Sequence, residues 1–170
     1  MIKRFRQTTR RNISIVMYTI YCDMDGVLVD FEKGYKELTG IYSKDHPDSK
    51  SFWKPVDTEG PSFWANLPWM SDGRTLWSFI KRYKPNILSS PSQSLSSRVG
   101  KAAWCKININ NQYKDLLLYP RAEKQLFSGE NHILIDDLAN TIQEWNDKGG
   151  IGILHTSAAN TIKELKKLGL

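Results

Sequence analysis

The first apolar segment of the chain, residues 13–22, runs directly into Asp23-Met24-Asp25-Gly26, and this junction constrains the fold more than any other feature. Side chains alternate along a strand, so Asp23 and Asp25 are expected to project together beyond the strand's end. Two carboxylates this close repel each other, so either a cation lies between them or one of them holds a proton. Gly26 then lets the backbone turn sharply. Either explanation predicts that the junction performs chemistry.

Short apolar segments alternate with amphipathic segments along the rest of the chain. Further strands are predicted at 86–90, 115–119, 132–137 and 151–154, and helices at 28–38, 72–84, 96–107, 138–148 and 158–168. Residues 41–61 are predicted to be a loop, because Pro47, Pro55, Gly60 and Pro61 interrupt a polar stretch. Apolar strands that alternate with helices indicate an α/β fold, in which helices cover both faces of a parallel sheet.

Two more of the predicted strands end in polar residues. One ends at Ser89-Ser90 and another at Asp136-Asp137. Ligands of such sheets bind beyond the carboxyl ends of the strands, so these side chains are expected to meet the Asp23/Asp25 pair. The sequence therefore predicts a single site at this edge of the sheet.

The residue types at this edge favour metal-assisted phosphoryl transfer. Oxygen ligands without His or Cys suit a hard cation, most often Mg²⁺. The Lys101 ammonium and the Ser89 hydroxyl would hold phosphate oxygens, and an Asp is able to act as a nucleophile on phosphorus.

Length and composition set the outer limits of the interpretation. A chain of 170 residues with 40% hydrophobic and 25% charged residues is typical of a single globular domain. No apolar run approaches the roughly 20 residues that span a bilayer, so no membrane association is expected. The two cysteines, Cys22 and Cys105, form neither a disulfide framework nor a metal-ligand pattern, which favours a reducing, cytoplasmic location.

The net charge of +6 comes mostly from the first twelve residues, which hold five basic residues and no acidic one and leave +1 for the rest of the chain. Residues 1–12 are therefore predicted to be a basic N-terminal tail. A solvated terminus, a tether to nucleic acid or an anionic surface, and an organelle-targeting leader all fit this composition. Met17 is an alternative start of the chain.

Four motifs in order give the sequence a resemblance to a known superfamily. They are Asp23-Met24-Asp25-Gly26-Val27-Leu28, Leu88-Ser89-Ser90-Pro91, Lys101-Ala102-Ala103-Trp104 and the acidic pair after Ile133-Leu134-Ile135. Together they resemble the haloacid dehalogenase (HAD)-like phosphohydrolases, and within these the 5′(3′)-deoxyribonucleotidases. The resemblance implies a Rossmannoid three-layer fold with a parallel central sheet and a small helical cap inserted after the first strand.

The resemblance also implies a role for each matched residue. Asp23 would be the nucleophile and a metal ligand, and Asp25 the general acid and base, touching the metal through its backbone carbonyl. Asp137 would complete the protein ligands, with Asp136 as a supporting or outer-sphere partner. Ser89 and Lys101 would bind the phosphoryl group, and Ser90 would contact the phosphate or its ester. Lys124 lies near a phosphate-side lysine of the family.

The expected cap is rich in aromatic residues. It would comprise residues 31–69, and residues 13–30 and 70–170 would form the catalytic core. Phe63 and Trp64 are candidates for a wall on which a nucleobase stacks, although such a cluster is more often part of a core. The chain departs from the animal nucleotidases in its short cap and in having Ser92, Gln93 and Ser94 where a basic residue is expected. These departures affect the choice of substrate more than the catalytic core.

The resemblance makes the favoured function a Mg²⁺-dependent phosphomonoester hydrolase, specifically a 5′(3′)-deoxyribonucleotidase that dephosphorylates (deoxy)nucleoside monophosphates through an aspartyl-phosphate. Its partner would be a small phosphate ester, most often a nucleoside monophosphate, and the protein would be a monomer or homodimer. One alternative is the same chemistry on a sugar phosphate or a nucleic-acid end. Another is a non-catalytic protein that binds nucleic acid through its basic tail.

Overall fold

A five-stranded, fully parallel sheet forms the centre of the protein in the computed structural model, which describes residues 16–110 and 112–170. The spatial order of the strands is β3-β2-β1-β4-β5. The strands are β1 (Thr19–Cys22), β2 (Asn86–Ser89), β3 (Leu116–Leu118), β4 (His132–Asp136) and β5 (Ile151–Leu154). The predicted α/β class is thereby confirmed.

Alternating side chains in the central strands supply a core on each face of the sheet. In β1, Ile20 and Cys22 pack into the larger core, whereas Tyr21 points into the smaller one. The same alternation recurs in β4, where Leu134 joins Tyr21 on the smaller-core face. Since both faces are buried, β1 and β4 contain almost no polar residue until they end, and the first acidic residues mark the edge at which ligands bind.

Seven α-helices accompany the strands in the described part of the chain. They are α1 (Phe31–Thr39), α2 (Lys54–Glu59), α3 (Pro61–Ala65), α4 (Gly73–Ile80), α5 (Leu95–Asn108), α6 (Ala139–Asp147) and α7 (Ala158–Lys167). Single 3-10 helices span Ser43–Asp45, Lys81–Tyr83 and Arg121–Phe127.

The loop predicted at 41–61 is wrong in part, because a 3-10 turn, all of α2 and the first residue of α3 lie within it. The residues taken as breakers sit at the ends of these helices. Pro55 and Pro61 occupy the first turns of α2 and α3, where a missing N–H costs nothing. Gly60 adopts a φ of +69° between the two helices. The prolines and glycine therefore delimit helices here instead of excluding them.

Among the helices inserted between β1 and α4, α3 is anchored on α5. Gly100 of α5 has no room for a Cβ, because the side chain of Trp64 and the backbone of α3 already occupy that space. The indole of Trp104 donates a hydrogen bond of 2.9 Å to the Leu67 carbonyl just after α3. These contacts hold Trp64 beside α5, the helix that also carries Lys101. The division into cap (31–69) and core stays a prediction.

The N-terminal predictions are tested only in part. The basic tail, residues 1–12, lies outside the described residues, as do residues 13–15 of the predicted first strand. Strand β1 begins at Thr19, so residues 16–18 do not extend it. Within the described ranges, no helix is long and apolar enough to cross a bilayer.

Candidate functional site

A cleft of about 620 Å³ opens at the carboxyl ends of β1, β2 and β4. Its walls combine carboxylates and hydroxyls from the strand ends, aromatic rings from the inserted helices and two cations from the 3-10 helix after β3. The lining residues are Asp23, Asp25, Gly26, Asp30, Phe31, Glu32, Trp53, Trp64, Met70, Ser90, Pro91, Ser92, Arg121, Lys124, Asp137 and Leu138. This is the edge at which the sequence predicts the site.

Asp23 is held firmly at the end of β1. Its backbone N–H donates to the Ile135 carbonyl at 2.9 Å, which continues the pairing with β4 one residue beyond the strand. Of its two carboxylate oxygens, Oδ1 accepts the Met24 N–H at 2.7 Å and Oδ2 lies 2.9 Å from the Lys124 Nζ. The carboxylate is therefore buried, oriented and paired with a lysine.

Lys124 is shared between two buried carboxylates. Its Nζ lies 2.7 Å from Asp136 Oδ2 and 2.9 Å from Asp23 Oδ2. Burial alone would lower the pKa of Lys124, but the attraction of Asp23 and Asp136 outweighs it and raises the pKa to about 12. Lys124 is thus a fixed positive charge at the base of the cleft.

Asp136 uses both carboxylate oxygens inside the protein. Oδ2 receives Lys124, and Oδ1 accepts the Leu138 N–H at 2.9 Å, just before α6 begins. Burial and the nearby charge of Asp23 raise the pKa of Asp136, whereas Lys124 opposes the rise. Asp136 is fully buried and does not line the cleft, whereas Asp23 and Asp137 do, so Asp136 suits the supporting role better than direct coordination of a cation.

Three carboxylates nevertheless lie close enough to share one ion. Oxygens of Asp23, Asp136 and Asp137, called here the carboxylate cluster, all lie within 4.8 Å of one another. Burial, together with the charges of Asp23 and Asp136, raises the pKa of Asp137 to about 6. An all-oxygen donor set with this charge fits Mg²⁺.

Gly26 makes room for the carboxylate cluster. It adopts a φ of +75°, and a Cβ at this position would overlap the carboxylate of Asp137. Glycine is therefore required here both for the turn and for the close approach of the two segments.

Asp25 and Ser89 meet at Lys101, a lysine almost completely withdrawn from solvent. The Lys101 Nζ donates to Asp25 Oδ2 and, at 2.9 Å, to the Ser89 hydroxyl. Burial raises the pKa of the Asp25 carboxyl above its usual value, and Asp23 adds to the rise while Lys101 counteracts it. The other oxygen, Asp25 Oδ1, has no hydrogen-bond partner among the described residues, so it is available to a ligand.

The upper walls of the cleft differ in character. On one side, the hydroxyls of Ser90 and Ser92 are buried and unpartnered within the described chain. On the other, Phe31, Trp53 and Trp64 form an aromatic surface in which the rings of Trp53 and Trp64 stack 6.2 Å apart. Trp64 also lies over Lys101, with Nζ 5.3 Å from its ring centre.

Comparison with known proteins identifies the fold but not the substrate. No family model and no curated protein sequence matches the chain. Solved structures do match, among them a hydrolase from Streptococcus pneumoniae TIGR4, with a TM-score of 0.54 and 13% identity over 89% of this chain and 100% of that one. A HAD-superfamily hydrolase from Ehrlichia chaffeensis gives a TM-score of 0.53 and 11% identity over 89% and 97%. The fold is the HAD fold.

A second HAD structure is similar to the chain to the same degree. A HAD family enzyme from Bacteroides thetaiotaomicron, in complex with magnesium and inorganic phosphate, gives a TM-score of 0.52 and 14% identity over 84% of this chain and 96% of that one. At such identities the likeness shows the HAD fold alone. The closer resemblance to 5′(3′)-deoxyribonucleotidases is not supported by these comparisons.

The HAD fold brings most of the predicted site residues together. The cleft is lined by Asp23, Asp25, Ser90, Lys124, Asp137 and Trp64. Lys101 and Asp136 are not in the lining but bind Asp25 and Lys124, and Ser89 binds Lys101. Phe63 is not among the lining residues, and it packs edge-on against Phe31 and Trp64. The catalytic, phosphate-binding and metal-binding roles of all these residues stay predictions.

Sequence reasoning missed Arg121, Asp30 and Glu32 as residues of the cleft. Arg121 carried a detectable signal, because it precedes Lys124 by three residues and the 3-10 helix brings both onto one face. Asp30 and Glu32 gave none, since acidic residues at a helix start are ordinarily explained by capping.

Proposed function

We propose that the protein is a Mg²⁺-dependent phosphomonoester hydrolase. One observation carries the proposal: Asp23 and Asp25 share a cleft with the Asp137 carboxylate, and two buried lysines, Lys101 and Lys124, contact them. An ion pair of this kind is costly to bury, so clustered charges in a cleft favour a functional role over a stabilising one. The HAD neighbour that holds magnesium and phosphate supports the same reaction class.

Asp23 is the nucleophile in this proposal. One of its oxygens attacks phosphorus, the ester P–O bond breaks, and an aspartyl-phosphate forms on the side chain. The Met24 N–H and Lys124 orient the carboxylate for attack, and Lys124 also balances charge that accumulates around the phosphoryl group.

Asp25 is the general acid and the general base in this proposal. Burial raises the pKa of its carboxyl, so Asp25 binds a proton more readily than an exposed aspartate, and it donates a proton to the departing ester oxygen. In the second half of the reaction, Asp25 takes a proton from water while the water oxygen attacks phosphorus. The bond between Asp23 and phosphorus then breaks, and inorganic phosphate leaves.

The cation site consists of the carboxylates of Asp23 and Asp137, with Asp136 behind them. A bound Mg²⁺ supplies positive charge that offsets the repulsion between these carboxylates and a phosphate dianion. Ser89 acts through Lys101, because its hydroxyl accepts from the Lys101 ammonium and fixes it beside Asp25.

Nucleoside monophosphates are the favoured substrates within this class. The aromatic surface of Phe31, Trp53 and Trp64 offers the flat apolar face on which a nucleobase stacks. The rings of Trp53 and Trp64 are already stacked on each other, so a base would extend an existing array.

Phosphate release from a substrate panel tests the proposal. The panel holds deoxynucleoside and nucleoside monophosphates, sugar phosphates and end-phosphorylated oligonucleotides, each assayed with Mg²⁺ and with chelator. We expect Mg²⁺-dependent turnover of nucleoside monophosphates that Asp23→Asn abolishes. Turnover of sugar phosphates alone would reject the nucleotidase assignment, and activity that survives chelation or Asp23→Asn would reject the mechanism.

A further inference from the structure

Arg121 occupies the same face of a 3-10 helix as Lys124 and lines the same cleft. A 3-10 helix has three residues per turn and rises about 2 Å per residue, so Arg121 lies one turn, or about 6 Å, from Lys124 along the axis. Lys124 binds Asp23, the residue that faces the scissile phosphoryl group. Arg121 therefore shares the cleft with the lysine that contacts Asp23 and lies about one helical turn from it.

Two cations, Lys124 and Arg121, are among the described residues that line the cleft, and they differ in how fully carboxylates pair with them. The charge of Lys124 is engaged by two buried carboxylates, Asp23 and Asp136. Among the described residues, the Arg121 side chain donates hydrogen bonds only to Glu144 of α6, through Nη1, which lies 3.2 and 3.1 Å from the two carboxylate oxygens. The remaining N–H groups of Arg121 have no acceptor in the described residues.

Replacing the Arg121–Glu144 ion pair with a pair between Arg121 and a ligand anion would cost little free energy. The side chains of Arg121 and Glu144 are 43% and 34% exposed. Ion pairs at such exposure contribute little to folding free energy, because water screens both charges. A ligand anion in the cleft has the advantage of a fork of two parallel hydrogen bonds from the guanidinium, whereas Glu144 is bound through a single nitrogen.

The neighbouring cleft residues restrict where a second anion can bind. Asp30 and Glu32 also line the cleft, and their charges repel anions from the region where α1 begins. Ser90 and Ser92 present buried hydroxyls without partners in the described chain, and hydroxyls donate readily to anionic oxygens. The distribution of charge thus leaves the surroundings of Arg121 as the place for an anion.

We infer that Arg121 is a specificity-determining residue that binds a second anionic group, a phosphate or a carboxylate, on the leaving group of the substrate. The inference rests on the proposed phosphatase function. The two basic residues of the 3-10 helix then have different roles. Lys124 stabilises the reacting phosphoryl group, whereas Arg121 selects substrates that carry a further negative charge.

The test compares phosphate esters with and without a second anionic group. Thymidine 5′-monophosphate is compared with thymidine 3′,5′-bisphosphate, and ribose 5-phosphate with ribose 1,5-bisphosphate and with 5-phosphoribonate, which carries a carboxylate. The ratio of kcat/KM values within each set is measured for the wild type, Arg121→Gln and the matched control Glu144→Gln. Calorimetric binding of the same compounds in Mg²⁺ gives a second readout.

We expect the wild type to prefer the doubly anionic compounds, and Arg121→Gln to reduce that preference about 10- to 100-fold, the usual contribution of a hydrogen bond to a charged group. Glu144→Gln should keep or increase it, because the variant frees Arg121. The inference would be overturned if the wild type showed equal kcat/KM values for substrates with and without the second anion, or if both variants changed the ratio equally. The Arg121–Glu144 pair would then have a structural role only. Absence of any turnover rejects the proposed phosphatase, and binding preferences then decide the role of Arg121 independently.

Discussion

Lys124→Met should destabilise the protein strongly, because Lys124 is the buried counter-charge of Asp23 and Asp136. Both carboxylates are nearly inaccessible, at 6% and 0% exposure. Methionine keeps much of the volume of the side chain but leaves the two negative charges facing each other and Asp137. Removal of one partner from a buried charge pair typically costs about 3–5 kcal/mol.

The expected loss is large enough to measure by thermal or urea unfolding. In a protein of this size, about 3–5 kcal/mol corresponds to a decrease in melting temperature of about 6–20 °C. Both measurements are made in chelator, so that no divalent cation replaces the missing charge. Lys167→Met is the matched control, since Lys167 pairs with Glu164 on the exposed surface of α7, and it should change stability by at most about 0.5 kcal/mol.

Addition of Mg²⁺ sharpens this prediction. Lys124 and a cation in the carboxylate cluster repel each other, so Lys124→Met should gain more stability from Mg²⁺ than the wild type gains. A variant that unfolds within about 1 kcal/mol of the wild type in chelator would refute the charge-balance argument. So would a variant whose stability Mg²⁺ does not raise.

Three further substitutions test other parts of the account. Gly26→Ala should lower both stability and Mg²⁺ affinity, because the new methyl group displaces Asp137. Gly40→Ala is the control: its φ of +82° is similar but the space around it is open, so it should lower stability alone. Gly100→Ala should destabilise by about 1–3 kcal/mol through overpacking against α3, and unchanged unfolding would contradict the close packing of α3 on α5. Burial lowers the pKa of His155 below its usual 6.5, so its neutral form is favoured in the folded state and stability should fall as the pH drops below about 6.5. His155→Gln should remove that component, measured as the difference between wild-type and variant urea unfolding across pH 5–8, and parallel profiles would refute it.

The sheet was predictable because its strands have a sequence pattern that depends only on neighbouring residues. Buried parallel strands are continuous apolar runs, and β2, β4 and β5 each appear as one. The polar residues at strand ends were informative for the same reason: Asp23, Ser89 and Asp136 interrupt runs that would otherwise stay apolar. Their convergence followed from the general geometry of parallel sheets, and the structure places them at one edge.

The inserted helices and the ion pairs were less accessible to sequence reasoning. Pro55, Gly60 and Pro61 carry the same local preferences whether they interrupt a segment or terminate helices, so only tertiary contacts such as α3 against Gly100 distinguish the two cases. Lys124 contacts Asp136 across twelve residues and Asp23 across a longer separation, and no periodicity in the sequence encodes such pairs.

Trapping of the covalent intermediate tests the central claim most directly. The wild type is mixed with its best substrate and Mg²⁺, quenched within one turnover and treated with borohydride, which reduces an aspartyl-phosphate to homoserine. Peptide mass spectrometry then locates the modified residue. We predict homoserine at position 23, dependent on both substrate and Mg²⁺. Release of phosphate without modification of Asp23, or with modification of another carboxylate, would contradict the proposed mechanism.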